Sequence, residues 1–120
     1  MKLAYSEYEI PALAALNAKA GKAPLRGCLL RLETHDGKVG YSDLRPHEAL
    51  GDQPMMAQLL SLRGGMPHDL AARSLISASL DAQARSEGRS LLSDLALPET
   101  HALGGPLRDA SEEWLADTLH

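Results

Sequence analysis

The residues able to do chemistry in this 120-residue chain are few and scattered. Five histidines, His35, His47, His68, His101 and His120, show no helical metal-ligand spacing, and each reads first as an exposed or hydrogen-bonded side chain. Cys28 is the single cysteine, so it cannot form a disulfide within the chain and has no thiolate partner for a soft metal. As a nucleophile it would need a base and an electropositive setting. Its alternation with Leu30 and Leu32 points instead to buried packing. Asp43, Glu48 and Asp52 have the oxygen chemistry of a hard-cation site, but a solvated loop with Asp52 capping the next helix accounts for them more simply. Arg26 and Arg45 have the fork geometry to hold a carboxylate by paired hydrogen bonds. No GxxxxGK[ST], GxGxxG or GxSxG pattern is present.

Those side chains must be positioned by a single core's worth of chain. Residues 2–10, with Tyr5, Tyr8 and Ile10, read as a strand closed by Pro11. Residues 12–26 read as a mobile loop with one helical turn. The alternation of Cys28, Leu30 and Leu32 against Arg31 and Glu33 marks a second strand. Asp36-Gly37 predicts a two-residue hairpin turn with positive φ at both positions, and Val39–Leu44 the return strand. The period then changes. Asp52 is placed to cap a helix that carries Met55, Met56, Leu59, Leu60 and Leu62 and stops at Gly64-Gly65. Pro67 opens a longer helix reaching about Glu87. On it Ala71, Leu75, Ala78 and Ala82 form a stripe of mostly small residues that allows close approach. Ser90–Leu95 reads as a turn or short helix, 96–103 as extended, and 109–119 as a last helix with Trp114, Leu115 and Leu119 on its apolar side. The fold class is α+β: a three-stranded antiparallel meander followed by a helical bundle.

Composition narrows the partners. Twelve Lys and Arg against sixteen Asp and Glu give a formal charge of −4 with no basic block, which argues against nucleic acid and anionic membrane. No apolar run approaches the roughly 20 residues of a membrane span, and the first ten residues lack a signal peptide's apolar stretch. A cytoplasmic location is expected.

The ordered stretches Arg26-Gly27-Cys28-Leu29-Leu30-Arg31, Gly40-Tyr41-Ser42-Asp43-Leu44-Arg45-Pro46 and Asp81-Ala82-Gln83-Ala84-Arg85 are similar to the N-terminal capping domain of the enolase superfamily. Within it they most resemble the o-succinylbenzoate synthase family. The resemblance covers roughly residues 2–105. It implies a cap over residues 1–95, with residues 96–120 as the first strand and helix of a truncated (β/α)8-type barrel. It also implies two substrate-covering loops, 12–26 and 44–54, in which Arg26, Arg45, His47 and Leu50 are the candidate contacts. The family's magnesium ligands and catalytic lysines lie on later barrel strands, and this chain has no K-x-K, so no catalytic or metal-ligating residue is expected in it. The implied reaction of the complete enzyme is a magnesium-dependent syn-dehydration in menaquinone biosynthesis. The implied partners are a small-molecule carboxylate and either a complementing barrel chain or a second copy. The same cap type serves dipeptide epimerases, N-acylamino acid racemases and muconate-type lactonising enzymes, and a freestanding cap would be a non-catalytic interaction module.

Overall fold

A computed structural model of the chain describes residues 1–13, 21 and 23–96. Three strands, β1 (Lys2–Ile10), β2 (Leu25–Glu33) and β3 (Val39–Leu44), form an antiparallel sheet in the order β1-β2-β3. Two helices follow, α1 (Met55–Arg63) and α2 (Asp69–Ser86). The strand at 2–10 and the return strand at 39–44 fall where the sequence places them. β2 begins three residues earlier than the apolar alternation indicates, because Leu25 and Arg26 pair with Ile10 and Glu9. Those two residues therefore belong to the sheet and not to the preceding loop.

Alternation on β2 sorts the sheet's faces. Cys28, Leu30 and Leu32 are buried under the helices, with Leu44 beside them on β3, while Leu29 on the opposite face is exposed. Leu59 of α1 and Ala71 of α2 complete this core. Burial raises the Cys28 thiol's pKa, aided by the nearby Glu7 charge, and so holds it as an unreactive thiol.

The 33–39 connection differs from the expected two-residue turn. Gly37 has φ of 81°, whereas among the described residues none other than glycine has positive φ, so Asp36 does not adopt the required mirror-image turn. Instead Gly37 N–H donates to Thr34 O at 3.1 Å and Thr34 N–H to Lys38 O at 2.9 Å. The Thr34 hydroxyl bonds the Asp36 carboxylate and accepts from Lys38 N–H. That local side-chain network favours the wider turn with a glycine at its end.

The small-residue stripe on α2 explains how it lies on the sheet. Ala71, Ser74, Ala78 and Ala82 are buried, while Leu75 is only partly so. A Cβ on Gly40 would overlap the Ala78 carbonyl oxygen and the Ala82 backbone nitrogen. Glycine on β3 and alanine on α2 thus bring the two backbones together. Ser74 hydroxyl donates to Asp43 O at 2.9 Å, and Lys38 Nζ to Gln83 Oε1 at 2.8 Å, so α2 runs alongside β3 from its end back to the hairpin.

The start of α2 is capped by α1 and not by its own residues. His68 makes no side-chain cap, so the helix begins at Asp69 and not at Pro67. His68 N–H donates to Ser61 Oγ at 3.0 Å, and Ala71 N–H to Oε1 of the buried Gln58 at 3.2 Å. Two orphan amides are thereby satisfied across the helix–helix corner.

α2 also closes one sheet edge. Tyr41 N–H donates to Asp81 Oδ2 at 2.8 Å. Arg85 bonds the same oxygen at 2.6 Å and lies 5.0 Å over the Tyr41 ring. Asp81 and Arg85, four residues apart on α2, therefore form part of a sheet–helix junction. Desolvation works to raise the Asp81 pKa, but the bonds from Arg85 and Tyr41 outweigh it and leave the carboxyl below its ordinary value. A depressed carboxylate stabilises the fold above the unfolded pKa of about 4 and loses that contribution as pH falls through the folded value. Asp81→Asn should therefore cost about 1 kcal/mol near neutrality. The gap between variant and wild type in urea midpoint should shrink as pH drops below 4; an unchanged gap at both pH values would refute the assignment.

Candidate functional site

At the end of the sheet away from the hairpin, three segments converge: the approach to β2, the β2 start and the chain leaving β3. Arg26, Arg45 and His47 line one cleft of about 250 Å³ there, with Pro24, Pro46 and Glu48. The sequence-derived candidates Arg26, Arg45 and His47, separated by up to 21 residues, are thus brought together. Leu50 does not line this cleft. It ends a short 3-10 turn, Glu48–Leu50, and is 60% exposed. Residues 14–20 and 22 of the first candidate loop lie outside the described residues.

The two arginines are not equivalent. Arg26 Nε donates to Glu9 Oε2 at 2.8 Å, across the β1–β2 pair, so its charge is already partnered. Arg45 is half-buried and has no ion pair among the described residues.

The 47–52 turn is built as a unit. Leu50 N–H and Asp52 N–H donate to His47 O at 2.9 and 3.3 Å. Asp52 Oδ2 accepts from His47 N–H at 2.8 Å. Gly51, with φ of 100°, supplies the left-handed step that brings the chain round. The expected capping role of Asp52 is therefore corrected. α1 begins at Met55 behind Pro54, with no side-chain cap, and the Asp52 carboxylate is used to close the loop.

The sequence marks Tyr8 only as a strand residue and gives it no place in the site. Tyr8 OH donates to Asp43 Oδ1 at 2.7 Å, from β1 to β3 across the intervening strand. Gly27 makes this reach achievable, since a Cβ there would overlap the Tyr8 ring. Glycine inside a strand is itself the sign of such a close approach. Desolvation first, and then the bond to Asp43, raise the Tyr8 pKa, while the Arg45 charge opposes the rise, which places Arg45 in the same electrostatic neighbourhood. A second cleft of about 450 Å³ adjoins the first across Arg26 and Pro46, bounded by Glu7, Glu9, Met55 and Met56. The sequence places Met55 and Met56 on the apolar side of α1 without a site role, and it gives Glu7 and Glu9 none either.

Asp43 and Asp52 are each committed to a hydrogen bond, and no group of three His, Cys, Asp or Glu among the described residues is placed to hold a metal ion. These residues do not fit a magnesium site. Among the described residues, no helix is long and apolar enough to cross a membrane.

The class of protein is α+β: a three-stranded antiparallel meander backed by two helices, with loops gathered at one end. Residues 3–84 match the family model described as "O-succinylbenzoate synthase, N-terminal domain". The chain belongs to that family. It is 36% identical over 87 residues to an o-succinylbenzoate synthase of Bdellovibrio bacteriovorus, a match covering 72% of this chain and 26% of that protein. Among solved structures it is similar to o-succinylbenzoate synthase from Thermosynechococcus elongatus BP-1, complexed with Mg in its active site. That likeness has a TM-score of 0.47 at 19% identity, over 84% of this chain and 33% of the other. The match thus spans about a quarter of the curated relative's length.

Proposed function

We propose that this domain is the substrate-covering cap of an o-succinylbenzoate synthase-like dehydratase. The observation that carries the proposal is the convergence of Arg26, Arg45 and His47 in one cleft at the loop end of a domain of this family. In this reading residues 1–95 are the cap and residues 96–120 begin the barrel. The barrel supplies the base and the magnesium ion, whose chemistry is to stabilise negative charge on the substrate carboxylate. The cap's own work is different. Arg45 offers a cationic, hydrogen-bonding contact to a carboxylate substrate. Leu50, held outward by the Asp52-closed turn, and Met55 and Met56 offer apolar surface that excludes water as the cap closes. In this reading the base and the metal ligands lie on the barrel, so the cap is inactive alone. Menaquinone biosynthesis in the cytoplasm is the corresponding setting.

The test is a chimera. Residues 1–96 replace the matched N-terminal part of the Bdellovibrio enzyme, and dehydration is followed by ultraviolet absorbance. The chimera should turn over substrate while the 120-residue chain alone does not. A folded, magnesium-binding chimera with no dehydration activity would overturn the assignment.

A further inference from the structure

The Tyr8–Asp43 bond has a role that neither the family match nor the candidate contacts assign. Asp43 and Arg45 are two residues apart where β3 ends, a spacing that puts both on one side of an extended chain. An aspartate and an arginine so placed would ordinarily pair, yet Arg45 has no ion pair among the described residues and Asp43 Oδ1 is bonded to Tyr8 at 2.7 Å. The reach of Tyr8 across the sheet depends on the missing side chain at Gly27. Arg26, the other cation of the cleft, is partnered by Glu9. Glu48 also lines the cleft but is exposed and makes no ion pair among the described residues.

We propose that Tyr8 is a positioning residue that holds Asp43 away from Arg45 and so keeps the Arg45 guanidinium available to a carboxylate ligand. The inference rests on the reading of this cleft as the substrate-covering end of the domain. It selects Arg45 over Arg26 as the anion-reading side chain, and it assigns a shared task to three residues, Tyr8, Gly27 and Asp43, that do not touch the ligand.

The decisive measurement is carboxylate binding to the chain itself. Sodium succinate is titrated into isotopically labelled protein at constant ionic strength, held with sodium chloride, while the Arg45 Nε–H resonance is followed by NMR. Arg45→Met identifies that resonance by its loss. Wild-type protein should show a saturable shift at Arg45. Tyr8→Phe should weaken apparent affinity roughly threefold or more, the scale of a partly exposed charge pair gained by competition. Tyr8→Phe combined with Asp43→Asn should restore it, because the competing carboxylate is then gone. A purely structural role for the tyrosine would not be rescued in this way, and the amide spectra show whether each variant is folded. Absence of a shift in the wild type, a shift at Arg26 instead, unchanged affinity in Tyr8→Phe, or no restoration in the double variant would each overturn the proposal. Because the assay needs no turnover, its failure is distinguishable from failure of the dehydratase assignment, which the chimera tests separately.

Discussion

Replacing Gly40 by alanine should cost this domain about 3 kcal/mol or more, although the change adds a single methyl group. In an ordinary strand the same change would be neutral or favourable, since glycine pays more conformational entropy than alanine on folding. Here the new Cβ would meet the Ala78 carbonyl oxygen, the Ala82 nitrogen and the Ala82 methyl. Two of those three atoms are helix backbone and cannot rotate away. Relief would require α2 to lift from β3, which strains the bonds from Ser74 to Asp43 O and from Tyr41 to Asp81. Gly27 is the informative contrast, because there the obstructing atoms belong to the ring of Tyr8, a side chain that can swing out. Urea unfolding followed by circular dichroism measures the effect directly. A Gly40→Ala midpoint equal to that of wild type would show that the helix is not seated on the strand as described.

Leu30→Ala should cost about 2–5 kcal/mol, the range for emptying a fully buried leucine site. Leu30 sits on the central strand with none of its surface exposed and belongs to the core with Cys28, Leu44 and Leu59. Large residues to fill the gap are scarce: the chain has no phenylalanine, and much of the α2 contact surface is alanine. Small neighbours cannot collapse far into a void, so the loss should lie toward the upper half of that range. Leu29→Ala makes the comparison, since Leu29 is 54% exposed on the opposite face of the same strand. A Leu30→Ala loss no greater than that of Leu29→Ala would contradict the assignment of faces.

Period and punctuation made much of this architecture readable. The alternation at Cys28, Leu30 and Leu32 identifies both the strand and its buried side, and Gly64-Gly65 marks the end of α1. Local chemistry was harder to read where one residue had two uses. Asp52 has the type and position of a helix cap, but its carboxylate reaches back to His47 N–H, and only the loop's path decides between the two. Asp36-Gly37 likewise fits a tight turn until Thr34 captures the Asp36 side chain. In the candidate site, the arginines and His47 were legible by type, whereas their unequal pairing was not. Whether an arginine is partnered depends on strand register, which sets Glu9 beside Arg26. Tyr8 and Asp43, 35 residues apart, leave no local pattern at all; the interior glycine at 27 is the one mark they make on the sequence. The segments read as extended at 96–103 and helical at 109–119 lie almost wholly outside the described residues.

The order of strands in the sheet is the order in which they are synthesised, and α2 then returns to β3, the strand made last. Each new element adds to a neighbour already present, and the described core needs nothing beyond residue 86. Domains made first fold as units during translation. This domain can therefore be a finished body while any sequence that follows it is still leaving the ribosome. Mutations that slow the β1–β2–β3 meander would then be felt first as a lower yield of folded domain.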